Sequence, residues 1–189
     1  GWNIYPGWYT RNMEAYGETI EEHYNAEKQN RRPLGISEYG AGANIEHHAD
    51  WPYPVPAVGT ADAVQTEEYQ ALVHEYAIKA IDERPYLWGT YIWNMFDFAV
   101  DSRNEGGIPG RNNKGLVTYD RQVKKDAFYL YKANWSDIPF VEIGSKRREP
   151  GRAVWERSGL PGRLQLGGYL LKAGRHRNPG GGHGGRQDL

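Results

Sequence analysis

One carboxylate in this chain stands out by its position. The run Pro33, Leu34, Gly35, Ile36, Ser37, Glu38, Tyr39, Gly40, Ala41, Gly42 is a short apolar stretch that stops on a glutamate followed by glycines. A run of that length, bounded by Pro and Gly, reads as a strand and is too short for a helix. Glu38 then stands at the end of a buried strand, where the following glycines let the backbone turn sharply away. In a parallel α/β barrel the side chains that act on a substrate project from such strand ends. A strand-end glutamate that is merely solvated is the other reading of the same pattern. Trp2, Tyr5, Trp8 and Tyr9 crowd around Asn3, rings with polar tips that suit the wall of a site. His47 and His48 are adjacent in the loop after Glu38, but no carboxylate or further histidine is spaced to complete a metal site. They read as loop residues or outer contacts, and neither a metal nor a cofactor is expected.

The elements that must position these groups alternate. Gly1 to Tyr9 reads as a strand and a turn at Pro6 and Gly7, and Gly17 to Asn30 as an exposed helix with Ile20 and Tyr24 on one narrow apolar edge. After the Glu38 strand comes a loop to about Gln65, rich in Gly, Pro and His. Thr66 to Glu83 is the clearest helix: Tyr69, Leu72, Val73, Tyr76, Ala77, Ala80 and Ile81 recur at three and four, Glu67 and Glu68 favour the positive end of its dipole, and Pro85 ends it. Tyr86 to Phe98 is β-branched and aromatic, predicting a second buried strand in which Trp88 is a core member. Asp101 to Gly115 is a polar loop, Leu116 to Tyr119 a short strand, and Lys125 to Ala133 a closing helix. Strands separated by helices imply parallel pairing with crossovers. The fold class is therefore α/β, a piece of a barrel or of a doubly wound sheet.

Composition narrows the class further. The chain has 189 residues, 39% of them hydrophobic, and no cysteine, which excludes disulfides, cysteine zinc sites and thiol nucleophiles. No apolar run reaches the length of a membrane span. It starts on Gly1 in what looks like the middle of a strand, so a fragment is expected and the compartment stays open. The net charge of −1 hides an asymmetry: residues 1–143 carry 13 basic against 21 acidic residues, residues 144–189 carry 10 against 3. The basic part is glycine-rich, without apolar periodicity or aromatic interleaving, so no nucleic-acid partner is expected from it.

Taken together, several stretches resemble glycoside hydrolase family 2, specifically the C-terminal part of its catalytic barrel. They are Asn3-Ile4-Tyr5-Pro6-Gly7-Trp8-Tyr9, Ser37-Glu38-Tyr39-Gly40-Ala41, Trp93-Asn94-Met95-Phe96-Asp97-Phe98, and the loop from Arg103-Asn104-Glu105-Gly106-Gly107 through Gly110-Arg111-Asn112-Asn113-Lys114-Gly115-Leu116-Val117. Asp120-Arg121, Lys124-Lys125-Asp126-Ala127-Phe128 and Trp135 continue it. The resemblance is closest to the bacterial β-galactosidase branch and covers about residues 1–143. It implies roughly three strands of a (β/α)8 TIM barrel.

In that family Glu38 would be the nucleophile of a retaining glycosidase, and its acid/base glutamate would lie upstream, outside this chain. Asn104-Glu105 follows the last strand, on the wrong side of Glu38 for that role. Tyr5 would hydrogen-bond the nucleophile, Trp93 would offer a platform for a sugar ring, and Asn3 and Asp97 would contact sugar hydroxyls. Asn112 and Lys114 decide between substrates. An Asn-x-Lys pair holds the sugar carboxylate in the β-glucuronidases of the family, while the flanking motifs favour a β-galactoside. The resemblance therefore implies a β-galactosidase, with a β-glucuronidase as the alternative and a non-catalytic carbohydrate-binding module as the reading from another class. The partner would be a small-molecule or oligosaccharide β-glycoside, and the full-length protein could be an oligomer. A barrel segment alone would be inactive and unstable, since two strand edges would lie open. Residues 144–189 lack the alternating pattern of the β-sandwich domains that would follow, and read as a disordered or out-of-frame tail.

Overall fold

A computed structural model describes residues 1–51, 53–144, 147 and 170–172. Three short strands, β1 (Trp2–Asn3), β2 (Ile36–Tyr39) and β3 (Thr90–Ile92), pair in parallel in the order β1-β2-β3. Helix α1 (Tyr16–Gln29), entered through a 3-10 turn at Met13–Ala15, crosses from β1 to β2, and α2 (Glu67–Asp82) crosses from β2 to β3. Helix α3 (Asp126–Trp135) packs beside α2, which also meets α1. The alternation of strand and helix thus yields the parallel α/β arrangement that the sequence implies.

Each helix is set by its own apolar edge. In α2 the residues Tyr69, Leu72, Val73, Ala77 and Ala80 are buried against Tyr16 and Ile20 of α1, Ile36 and Tyr39 of β2 and Leu130 of α3. Thr66 caps α2, its hydroxyl accepting from the Tyr69 N–H at 3.1 Å, a contribution of about 1 kcal/mol. Glu67 and Glu68 do more than favour the helix dipole. Both are buried: Glu67 accepts the backbone N–H of Asp126 at 3.0 Å and an ion pair from Arg147, and Glu68 holds His48 at 2.9 Å. No helix of the described residues is long and apolar enough to cross a membrane.

The stretch Tyr86 to Phe98 differs from its expectation. Only Thr90–Ile92 joins the sheet, and Phe98–Ala99 (β4) turns into an antiparallel pair with Arg111–Asn112 (β5). Because β3 is an edge, its outer face has no cover. Trp88 is 59% exposed rather than a core member, Tyr91 and Met95 are exposed, and Tyr86, Leu87, Ile92 and Trp93 pack against the core. A groove of about 550 Å3 runs along this edge beside α3, lined by Tyr91, Ile92, Met95, Phe128, Tyr131 and Trp135 among others. Leu116 to Tyr119 contributes only isolated bridges, Val117 to Phe96 and to Lys124. Val141–Ile143 (β6) pairs antiparallel with Leu170–Lys172 (β7). The tail expected over 144–189 otherwise lies outside the described residues, apart from Gly144 and Arg147.

Candidate active site

Two adjacent strand ends bring the first pair of groups together. In the parallel ladder Asn3 lies opposite Glu38, and the Ile4 N–H donates to the Glu38 carbonyl at 2.8 Å. Two residues beyond Asn3, the Tyr5 hydroxyl reaches back across the ladder and donates to Glu38 Oε2 at 2.8 Å. Burial, the hydrogen bond to Glu38 and its charge raise the Tyr5 pKa far above the ordinary phenol range, so this O–H stays a donor. Glu38 is half-buried. A half-buried carboxylate held at one oxygen can attack or exchange protons. Asn3 is exposed, its Oδ1 accepting from the Ser37 hydroxyl at 2.9 Å, beside Glu38 on the same rim.

The turn after Tyr5 builds an aromatic wall. Gly7 adopts a positive φ of 79°, and the Trp8 and Tyr9 N–H groups both donate to the Tyr5 carbonyl at 3.1 Å. A side chain at Gly7 would strike Met13, and the Tyr69 hydroxyl pins the Gly7 carbonyl at 2.6 Å. The turn so fixed sets the Tyr9 ring 5.1 Å from that of Tyr5, edge to face, with Trp8 alongside.

Against that wall stands Lys114. Its ammonium is 5.1 Å from the Trp8 ring and 4.8 Å from the Tyr9 ring, the residue is 1% exposed, and Nζ has no hydrogen-bond partner among the described residues. Burial lowers its pKa, opposed by the nearby Tyr9 phenol and the Glu105 charge. Burial also raises Tyr9, but Lys114 and Arg103 beside its oxygen outweigh this and the net shift is downward. The two ring faces stabilise such a cation by about 2 kcal/mol, well short of what desolvating an ammonium costs, and the nearby Glu105 carboxylate is already engaged by Arg103. An anion brought beside Nζ would offset that cost. Asn112 shapes the turn, its Oδ1 accepting the Lys114 backbone N–H at 3.0 Å. Between the two, Asn113 donates from Nδ2 to Gln65 Oε1 and accepts the Ala43 N–H on its carbonyl at 3.0 Å. The loop following Glu38 is so close that a Cβ at Gly42 would lie 2.5 Å from Asn113 Oδ1.

Trp93 closes the third side, its backbone N–H donating to the Tyr39 carbonyl at 2.8 Å and its ring set edge-on to Phe98 at 5.8 Å. Asp97 is different. It is 3% exposed, and its Oδ1 accepts from Lys125 Nζ at 2.9 Å and from the Gly115 N–H at 2.8 Å. So engaged, Oδ1 of Asp97 ties the Gly115 turn to Lys125. Glu105, next to Asn104, is likewise buried, held by Arg103 and by the Gly59 N–H at 2.9 Å. These two residues line a cavity of about 430 Å3 together with Trp8, Tyr9, Val58 and Gly59. His47 accepts the Gln65 N–H at 3.1 Å and His48 pairs with Glu68, so both hold the loop to α2. Among the described residues no group of three or more His, Asp or Glu could hold a metal. Sequence reasoning missed Lys125 and Gln65, because nothing local marks either as interior.

No protein-family model matches the chain. It is 44% identical over 147 residues to a β-glucuronidase of Bacteroides fragilis, covering 77% of this chain and 20% of that protein. Its structure superposes on the FMN-binding β-glucuronidase of Faecalibacterium prausnitzii L2-6 with a TM-score of 0.67 and 45% identity, over 77% of this chain and 21% of the other. A Bacteroides fragilis structure of β-galactosidase type gives a TM-score of 0.70 at 37% identity over the same shares. The chain thus spans about a fifth of the length of the proteins it matches.

Proposed function

We propose, from the premise that this chain is a segment of a glycoside hydrolase of the family 2 kind, that it forms the nucleophile side of a retaining exo-β-glucuronidase. The finer fold follows the same reading: residues 1–143 are three consecutive strands and helices from the C-terminal part of a (β/α)8 barrel. The open edges of β1 and β3 are where the remaining strands pack.

In this reading Glu38 attacks the anomeric carbon to form a glycosyl ester, and the leaving oxygen takes a proton from a carboxylic acid supplied outside this segment. That second carboxylate then deprotonates the water that cleaves the ester. Two carboxyl groups about 5 to 5.5 Å apart are what such retention requires. Tyr5 orients Glu38 and holds its charge. Asn3 contacts a sugar hydroxyl, and Trp93 lies against the ring.

The single observation that carries the glucuronide over the galactoside is Lys114. A buried ammonium without an anion is expensive, and a sugar carboxylate supplies the missing charge where a hydroxymethyl group would leave it unpaired. The β-glucuronidases among the relatives support the same order, which reverses the galactoside preference suggested by the flanking motifs. The β-galactosidase-type neighbour keeps the galactoside as a second reading. The test is the ratio of kcat/KM for 4-nitrophenyl β-D-glucuronide and β-D-galactoside in the intact protein carrying this segment. Lys114→Ala should lower glucuronide turnover by about a thousandfold, a few kcal/mol of charge-assisted bonding, and leave galactoside turnover within several-fold. A wild-type preference for galactoside, unmoved by Lys114→Ala, would return the reading to a β-galactosidase.

A further inference from the structure

We infer that Lys125 is the positioning residue of the carboxylate-facing turn, the group that fixes where Asn112 and Lys114 stand relative to the strand carrying Glu38. The inference rests on the glucuronidase reading for its substrate and on geometry alone for its mechanism.

Lys125 lies just before α3 and is 0% exposed. An ammonium has three N–H donors, and each of the three finds an acceptor in a different segment of chain. One bond goes to the Ala43 carbonyl at 2.8 Å, in the loop that continues from Glu38. A second goes to Asp97 Oδ1 at 2.9 Å, in the segment that follows Trp93. The third goes to the Asn113 carbonyl at 2.9 Å, between Asn112 and Lys114. Three loops that otherwise belong to three strands are tied at one atom.

The acceptors are themselves cross-linked. The Asn113 carbonyl also accepts from the Ala43 N–H at 3.0 Å, and Asp97 Oδ1 also accepts from the Gly115 N–H at 2.8 Å. The Lys125 backbone N–H takes the Leu116 carbonyl at 2.9 Å, so residues 113, 115 and 116 are all held from the Lys125 side. Gly115 has no room for a Cβ against the backbone of Phe96 and Asp97, which seats the turn directly on the Asp97 segment.

An apolar side chain would fill the same volume without the cost of burying a charge. What the ammonium adds is direction, three bonds at fixed angles from one point. Arginine is not a substitute, because its planar fork cannot address three acceptors arranged around one nitrogen.

The test uses the intact protein carrying this segment. Lys125→Met alone leaves Asp97 as an unpaired buried carboxylate and can fail to fold, so the informative variant is the matched pair Lys125→Met with Asp97→Asn. In that variant we expect amide hydrogen exchange over residues 112–116 to rise at least tenfold with Ile36–Tyr39 unchanged. KM for 4-nitrophenyl β-D-glucuronide should rise at least tenfold while kcat falls less than threefold, the signature of lost ground-state positioning. Exchange that rises equally across β2 and the turn, with kcat and KM unmoved or falling together, would make Lys125 a structural brace only and overturn the inference. If the wild-type protein does not cleave the glucuronide, the substrate reading falls on its own, and the exchange pattern alone decides whether Lys125 positions the turn.

Discussion

The Tyr5 hydroxyl donates to Glu38 Oε2 at 2.8 Å across the parallel ladder of β1 and β2. The bond joins two strand ends separated by a whole crossover helix, so it exists only when the sheet has formed in register. It makes Tyr5 the most direct reporter of the setting of Glu38. Tyr5→Phe removes a hydrogen bond to a charged group, about 1.5–3 kcal/mol, and should lower kcat by about 10- to 100-fold with the fold intact. Steady-state kinetics on a glucuronide would show it; a kcat within twofold of wild type would mean the bond does not bear on catalysis.

Gly115 and Gly42 should separate stability from recognition. A Cβ on Gly115 overlaps the backbone of Phe96 and Asp97, which cannot step aside, so Gly115→Ala should destabilise this region by about 3 kcal/mol. A Cβ on Gly42 meets side chains instead, Asn113 Oδ1 at 2.5 Å and the Trp8 ring at 3.0 Å. Gly42→Ala should therefore cost less stability and act chiefly on glucuronide KM, by moving the Asn113 side chain. Denaturation midpoints read beside kinetics test the pair, and equal stability losses would contradict this division.

Two histidines should give opposite pH dependences. His74 is fully buried against the Tyr131 hydroxyl at 2.8 Å, and burial, with Lys125 nearby, pushes its pKa down to about 3. The unfolded chain binds a proton that the folded chain refuses, so stability is intact above about pH 6.5 and falls as the pH drops towards 3. His48 is the reverse: its hydrogen bond to Glu68 raises its pKa against the effect of burial. Its contribution is fully present below about pH 6.5 and is lost as pH rises through the folded value. Thermal midpoints from pH 5 to pH 8.5 should lose part of their acid slope in His74→Phe and part of their alkaline slope in His48→Gln. Slopes identical to wild type in both variants would contradict the assignment.

Much of the scaffold was legible because its signals are local. The apolar spacing of Tyr69, Leu72, Val73 and Ala77, with Thr66 before them, marks α2 to within a residue at either end. The Pro33 to Gly42 run likewise marks β2. Tyr86 to Phe98 misled because a ladder needs a partner as long as itself: β2 offers four residues, so only Thr90–Ile92 pairs and Trp88 is left outside. The pairing of Asp97 with Lys125 was not legible for a related reason: only the fold places the lysine's ammonium 2.9 Å from the aspartate. Pairwise burial across 28 residues leaves no mark in either neighbourhood. At Lys114 the fold adds what no local pattern shows, the aromatic wall of Trp8 and Tyr9 against its ammonium.

The central claim is that Glu38 is the nucleophile of a glucuronide-cleaving enzyme, and trapping tests it most directly. The intact protein carrying this segment would be incubated separately with a 2-fluoro glucuronide and a 2-fluoro galactoside bearing activated leaving groups, then digested and its peptides mapped by mass. The expected result is a glucuronyl ester on the peptide containing Glu38, with little or no label from the galactoside. Label on Glu38 from the galactoside alone would keep the mechanism and contradict the sugar, and no label on Glu38 from either would contradict the claim itself.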